Sequence, residues 1–361
     1  MAKKKLNFWY IICLVAFVLY IFIAARPIPR ETVVTPRWIV SLESDPAVIE
    51  RFDILSVDRP LPFRLGGRFG YVWDDGRFAI NQNTNAYLSL SENHWAEYEA
   101  IPPYIRVMNP LNEMVMMIED PHGYPLFLDN RIFIVGSEQQ SLTALGSDGR
   151  QLWTHDFSAT LTVIDASNGY VLAGTVDGNL ELLNPQGRLV FPPFAPGGSR
   201  LSVIVGCAIS SDASMLAVIS GIDNQRFLLL ERADDNFRVI FHEFLGEGFR
   251  RPVRINFINN DTMVVFEREN GVGIFSVGSR SSRNIDLEGE IVAIDSYGGG
   301  RFIFLVTSQA PGEKRLVTIR YPGCIVSEAR FKSENVFFAR RGETLFLAGD
   351  SAMASFALEK R

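Results

Sequence analysis

The sequence predicts an all-β fold, a β-propeller of seven blades with six to eight compatible with the spacing, and three observations carry the prediction. Two stretches, Arg131 to Trp153 and Gly169 to Phe191, match without a gap at a spacing of 38 residues. Within them Gly136, Leu142, Leu145 and Gly149 fall on Gly174, Leu180, Leu183 and Gly187, and Trp153 falls on Phe191. Val, Ile, Phe and Tyr cluster in runs of four to seven residues, which favours pleated strands. Gly and Asp punctuate those runs at hairpin spacing. A period of about 40 residues made of short apolar runs is the sequence form of a propeller blade. A β-sandwich lacks such a self-match, and solenoid rungs are shorter.

Residues 1–5, with Lys3, Lys4 and Lys5, form a basic tail. Residues 6–25 (LNFWYIICLVAFVLYIFIAA) carry no charge. At about 1.5 Å per residue, a helix of that length spans the ~30 Å hydrocarbon core of a bilayer. Trp9, Tyr10 and Tyr20 stand toward its ends, where amphipathic rings prefer the headgroup zone. A cleaved signal peptide has a shorter apolar region closing in a small-x-small site, and Phe22 and Ile23 stand where a small residue is needed. Cys13 lies mid-segment with no small residue before it, which argues against lipidation. The segment therefore reads as a retained single-pass anchor. The lysine cluster sets a cytoplasmic N-terminus and places the rest on the periplasmic side of a bacterial inner membrane. Residues 26–37, with Pro27, Pro29 and Pro36, read as a semi-rigid stalk.

Residues 38–361 are assigned to the propeller. In the clearest unit Gly169 to Ala173 and Asn179 to Leu183 are strands, joined by the turn Thr175-Val176-Asp177-Gly178. Asn184-Pro185-Gln186-Gly187 turns the chain into a third strand, Arg188 to Phe191. Comparable hairpins begin at Phe69, Arg131, Met215, Met263, Phe302 and Thr344, making seven in all. The widest gap, Trp73 to Ile132, holds Glu113 to Glu119 (EMVMMIE) and leaves room for an eighth blade. Closing the ring needs a strand from one chain end in the blade of the other. Trp38 to Leu42 and Phe52 to Val57 are both candidates for that strand.

The unit from Arg131 to Trp153 resembles blades of the WD40-like and PQQ-like (quinoprotein-like) propeller superfamily. The residues that carry the likeness are Gly136, Leu142, Ala144, Leu145, Asp148, Gly149 and Trp153, followed in the next unit by Gly174, Leu180, Leu182, Leu183, Gly187 and Phe191. The layout of anchor and degenerate propeller is similar to membrane-tethered propeller proteins of spirochaetes and related bacteria. In outline it also resembles the propeller subunit of the outer-membrane β-barrel assembly machinery, a lipoprotein, whereas this chain lacks the lipidation site.

The chain carries 35 basic and 41 acidic residues, and beyond Lys5 the basic count falls to 32. No basic face is visible, so nucleic acid is not an expected partner. Quinone-cofactor chemistry would need a Trp-docking pattern in most blades, a calcium site and a vicinal disulfide; no cofactor is expected. His94, His122, His155 and His242 lie in different units without metal-ligand spacing, and no metal site is expected. No nucleophile-elbow motif or Ser/His/Asp arrangement can be assembled. Cys207 and Cys324, two blades apart, are read as small buried hydrophobes rather than a disulfide.

Two loops stand out. Arg188 to Arg200 places Phe191 and Phe194 around two prolines, and Glu247 to Arg254 places Phe249 among Arg250, Arg251 and Arg254. Exposed aromatics and Arg are interface anchors; buried linkers whose Phe packs between sheets are the alternative. The expected function is a non-enzymatic interaction scaffold or assembly factor in the cell envelope, with an envelope protein as partner. A ligand sensor or degenerate hydrolase with a small-molecule site at the central channel, or a cytoplasm-facing WD40-like adaptor, stays open.

Overall fold

The structure, a computed structural model, describes residues 8–24, 32–43, 59–234, 236–246, 248–297 and 300–360. The chain starts with helix α1 (Phe8–Ala24) and strand β1 (Thr32–Ser41). Blade 1 comprises β2 (Leu61–Leu65), β3 (Arg68–Val72) and β4 (Phe78–Asn83), and blade 2 β5 (Tyr87–Leu90), β6 (Trp95–Tyr98), β7 (Tyr104–Met108) and β8 (Met114–Glu119). Blade 3 holds β9 (Gly123–Leu128), β10 (Arg131–Gly136), β11 (Ser141–Leu145) and β12 (Gln151–Asp156), and blade 4 β13 (Leu161–Ser167), β14 (Tyr170–Thr175) and β15 (Leu180–Leu183). Blade 5 holds β16 (Ile204–Ile209), β17 (Met215–Ser220), β18 (Gln225–Ala233) and β19 (Asn236–Gly246), and blade 6 β20 (Ile255–Ile258), β21 (Met263–Arg268), β22 (Gly271–Ser276) and β23 (Ser281–Asp286). Blade 7 holds β24 (Glu290–Tyr297), β25 (Phe302–Ala310), β26 (Glu313–Arg320) and β27 (Cys324–Lys332), and blade 8 β28 (Phe337–Arg341), β29 (Thr344–Ala348) and β30 (Ala352–Lys360).

The described residues thus build eight antiparallel sheets, one more than the seven hairpins read from the sequence. The additional one is blade 2, and the apolar run from Glu113 to Glu119 supplies its outer strand β8. Its hairpin escapes sequence reading because Tyr87–Leu90 and Trp95–Tyr98 are only four residues each and are joined by Ser91-Glu92-Asn93-His94, which has no Gly.

Each blade packs both faces of its sheet against its neighbours. Strands buried on both faces read as continuous apolar runs instead of alternating ones, as Met215–Ser220 shows. Within β17, Leu216 and Val218 pack toward blade 4, while Ala217 and Ile219 pack toward blade 6. Eight apolar clusters of described residues occupy the eight blade-to-blade interfaces. At the interface of blades 5 and 6, Phe227 stacks on Phe266 at 4.5 Å and Phe241 lies 4.5 Å from Phe275.

The N-terminal strand closes the ring. β1 pairs antiparallel with β30 from Thr32↔Lys360 to Ser41↔Ala352, as the outer strand of blade 8. Residues 32–37, assigned to a stalk from the sequence, belong to this strand. Pro36 is tolerated because β1 is an edge strand and a bulge follows between Pro36 and Trp38. Residues 1–7, 25–31 and 44–58, hence the basic tail, both ends of the apolar segment, the first part of the stalk and the alternative closing run Phe52 to Val57, lie outside the described residues.

Blade 1 has a direction of its own. Its β2–β3 turn at Gly66 lies against Asn335, just ahead of β28, and its β3–β4 turn meets Arg341 at the far end of β28 through Asp74. In direction β2, β3 and β4 therefore correspond to the second, third and fourth strands of the other blades. The other correction concerns blade 4. Pro192, Pro193 and Pro196 remove N–H donors, so the chain after β15 forms only the isolated bridges Leu183↔Leu189 and Leu180↔Phe194 in place of a third regular strand.

The repeat residues have a common mechanical role. Trp153, on outer strand β12, sends its indole N–H to the Pro185 carbonyl at 3.0 Å, and its ring covers Gly187 in the next blade. Trp38 does the same on β1, with its N–H on the Asp74 carbonyl at 2.8 Å and its ring over Gly76. Met116 on β8 covers Gly149, and Ile285 on β23 covers Gly323. A bulky side chain on one blade's outer strand thus rests on a turn glycine of the next. Gly136, Leu142, Leu145, Gly174, Leu180 and Leu183 lie in the strands that hold those turns in register.

α1 is a 17-residue apolar helix. Among the described residues, no helix is long and apolar enough to cross a membrane.

Candidate interaction surface

The six loop residues singled out in the sequence are divided by the structure. Phe191 is core, 6% exposed, packed 5.3 Å from Phe237, and is no free anchor. Phe194 and Phe249 are half-buried against the clusters beside blade 5. Arg250 is exposed. Arg251 and Arg254 are engaged with a residue the sequence reading passed over, Glu267 at the end of β21.

Glu267 is 1% exposed. Arg251 grips it with both terminal nitrogens, at 2.6 and 3.1 Å, while the backbone N–H groups of Arg254 and Ile291 donate to it at 3.3 and 3.4 Å. The Arg251 guanidinium also covers the Phe249 ring at 4.3 Å, and Arg254 Nε donates to the Ile291 carbonyl at 3.0 Å. The hydrogen bonds to Glu267 raise the Arg251 pKa above its ordinary value. Here Arg and Phe knit the linker between blades 5 and 6 to blade 7.

Around the inner ring, carboxylates are spent on similar ties between blades. Asp129 accepts the Gly169 N–H at 2.6 Å, Asp165 the Ile209 N–H at 2.9 Å and Asp261 the Ser211 N–H at 2.8 Å, and Asp295 pairs with Arg340 at 3.0 Å. Asp165 and Asp295 occupy equivalent places, each after an Ile in an inner strand, each also accepting the next residue's N–H. A cavity of roughly 300 Å³ in the channel is lined by Asp165, Cys207, Arg254 and Asn256 among others. Burial raises the Asp165 pKa and pushes the Cys207 thiol well up, so the cysteine is an unreactive core residue. Cys324, expected to be buried, is exposed at the start of outer strand β27. Among the described residues, no group of three or more His, Cys, Asp and Glu could hold a metal ion.

Blade 2 is different in kind. Its outer strand β8 buries Met116 and Ile118 against blade 3 and exposes Met114 (59%), Val115 (47%) and Met117 (48%). Tyr104, paired with Glu119 of β8, and Ile101, in the loop before β7, are exposed as well. Arg106 stands cross-strand from Met117 and over the Tyr104 ring at 5.1 Å. On the side facing blade 1, Trp95, Glu97, Glu99, Tyr104 and Arg106 line a cleft of about 380 Å³. Tyr87, Tyr98 and Tyr124 form a stacked row from blade 2 into blade 3, with centroids 5.7 and 6.3 Å apart. A contiguous exposed apolar patch with a polar margin marks an interaction site more often than a chance surface.

His94, on the turn into β6, gives this blade a pH dependence. Its Nδ1 is buried without a hydrogen-bond partner among the described residues, its ring lies 5.7 Å from Phe127, and burial lowers its pKa below 6.5. Below pH 6.5 the unfolded chain binds this proton before the folded chain does, so stability falls as pH drops and levels off below the folded pKa. Unfolding midpoints measured between about pH 7.5 and about pH 5 are expected to fall, and His94→Gln to flatten that stretch of the curve.

Comparison with known proteins adds the following. Over 357 residues the chain is 26% identical to a protein of Treponema pallidum (strain Nichols) described as uncharacterized, covering 98% of this chain and 94% of that one. Its fold is similar to that of BamB from Moraxella catarrhalis, with a TM-score of 0.60 and 13% identity over 90% of this chain and 100% of that chain. Apo AztD from Citrobacter koseri follows, with a TM-score of 0.55 and 12% identity over 80% of this chain and 87% of that chain. At these identities the two structures speak for the propeller fold alone. Residues 1–360 match the family model described as beta-propeller protein, and the chain belongs to that family.

Proposed function

We propose that this protein is a membrane-anchored, non-enzymatic propeller that serves as an interaction scaffold in the bacterial cell envelope, with the propeller on the periplasmic side. The observation that carries the reading is the exposed apolar face of blade 2, with Met114, Val115 and Met117. The inner-ring carboxylates Asp129, Asp165, Asp261 and Asp295 and the buried Glu267 are each bonded to a neighbouring blade, which leaves them to the fold rather than to a reaction. The anchor rests on α1, whose described apolar residues Leu14, Phe17 and Leu19 are exposed and therefore need an apolar surrounding.

Three measurements test the reading. After carbonate extraction of membranes the full chain is expected in the pellet, and a C-terminal phosphatase fusion is expected to be active; a soluble chain or an inactive fusion contradicts the placement. Cross-linking of the full chain in cells is expected to yield discrete adducts with envelope proteins, and no adduct above background contradicts a scaffold.

A further inference from the structure

Outer strands expose one backbone edge, and on three of the other blades charges or Pro guard it. β27 exposes Ile325 and Val326 but carries exposed Glu328 and Arg330, β23 exposes Ser281, Arg283 and Asn284, and β1 carries Pro36. Charges and Pro on an edge discourage pairing with another chain. β8 is also the last strand of its sheet, yet its middle, Met114 to Ile118, holds no charge. Its charges stand at its two ends, Glu119 in the strand and Glu113 just ahead of it, six residues and at most about 20 Å apart at ~3.3 Å per residue, with a bulge between Met114 and Met116. Exposed Glu97 and Glu99 extend the negative margin toward the cleft.

We propose that the open edge of β8 is a docking site for an extended segment of a partner protein, which adds to blade 2 as a fifth strand. The segment carries apolar residues opposite Met114 to Met117 and a Lys or Arg at each end, about six positions apart, opposite Glu113 and Glu119. Backbone hydrogen bonds supply the attachment and the flanking charges the selection. A second copy of this chain is the wrong occupant. Antiparallel pairing centred on Met116 sets Glu113 against Glu119 at both ends, and parallel in-register pairing sets each glutamate against itself; like charges directly opposite destabilise a ladder. The proposal rests on the scaffold reading and names its surface.

The test uses the detergent-solubilised full chain and two fluorescent peptides, Lys-Val-Thr-Val-Thr-Val-Lys and the same sequence with Glu at both ends. The Lys-ended peptide is expected to bind about tenfold more tightly than the Glu-ended one, since each end exchanges a favourable for an unfavourable cross-strand pair. It is also expected to slow amide hydrogen exchange across residues 114–119. Met117→Lys, at an exposed position that leaves the fold intact, is expected to weaken binding about tenfold, whereas Leu152→Lys on the blade 3 outer strand leaves it unchanged. Equal binding of both peptides, no binding, or unslowed exchange at 114–119 overturns the proposal. Self-association of the chain that Met117→Lys abolishes also overturns it, because the occupant is then a second copy. If envelope adducts form at other blades while both peptides fail, the scaffold reading stands and this inference falls.

Discussion

Glu267→Ala is expected to lower stability by about 3–5 kcal/mol, the range for breaking a buried ion pair by removing one partner. The carboxylate holds four donors at once: two nitrogens of Arg251 and the N–H groups of Arg254 and Ile291. Alanine removes the acceptor of the part-buried Arg254 N–H and the buried Ile291 N–H and frees Arg251 from the Phe249 ring it covers. Glu267→Gln keeps the shape and one acceptor, so its loss should be smaller, and Arg251→Met added to Glu267→Ala should cost little more than Glu267→Ala alone. Denaturant unfolding of the wild type, Glu267→Ala, Arg251→Met and the double variant gives the cycle. Additive losses would show that the two side chains are not coupled, and the linker between blades 5 and 6 would then be held by packing and its other hydrogen bonds, such as Arg254 Nε to the Ile291 carbonyl.

Gly187→Val is expected to cost about 3 kcal/mol or more, because two penalties coincide. Gly187 has φ of +75°, a region that costs a β-branched residue dearly, and a Cβ there would stand 2.4 Å from the Trp153 ring. The indole must leave the turn, and its hydrogen bond to Pro185 goes with it. Trp153→Leu relieves the clash but not the backbone strain, so in the Trp153→Leu background the same Gly187→Val change should cost visibly less. An equal cost in both backgrounds would mean that Trp153 does not rest on this glycine in solution.

That contact explains why the fold was legible. The 38-residue self-match exists because blades 3 and 4 repeat the same turn glycine, Gly149 and Gly187, under a bulky side chain of the preceding blade, Met116 and Trp153. The pattern is coarser elsewhere because Ile285 on Gly323 does the same work with other residues. Trp38 was assigned to the closing strand without its docking role, although it precedes its acceptor Asp74 by 36 residues much as Trp153 precedes Pro185 by 32. The Ile164-Asp165 and Ile294-Asp295 pairs repeat one tie between blades, a two-residue signal too short to stand out in the sequence.

The surface was less legible, for a physical reason. Arg and Phe clusters look alike in sequence whether they face solvent or a buried partner, and Glu267 is next to last in a strand, MVVFER, that reads as ordinary core. The run from Glu113 to Glu119 was visible as a strand, but its exposure follows from its place as the outermost strand of blade 2, which sequence periodicity does not contain. Sequence gives a strand's faces, whereas a docking edge depends on which strand comes last.

The most direct test of the scaffold account is a photo-cross-linking scan of the outer strands in living cells. The photoreactive residue is placed at Met117 on blade 2, at Ser281 on blade 6 and at Arg330 on blade 7. The account expects a discrete envelope-protein adduct at Met117, mapping by mass spectrometry to an extended segment with basic residues at its ends, and little at Ser281 or Arg330. Adducts absent at all three positions would contradict it.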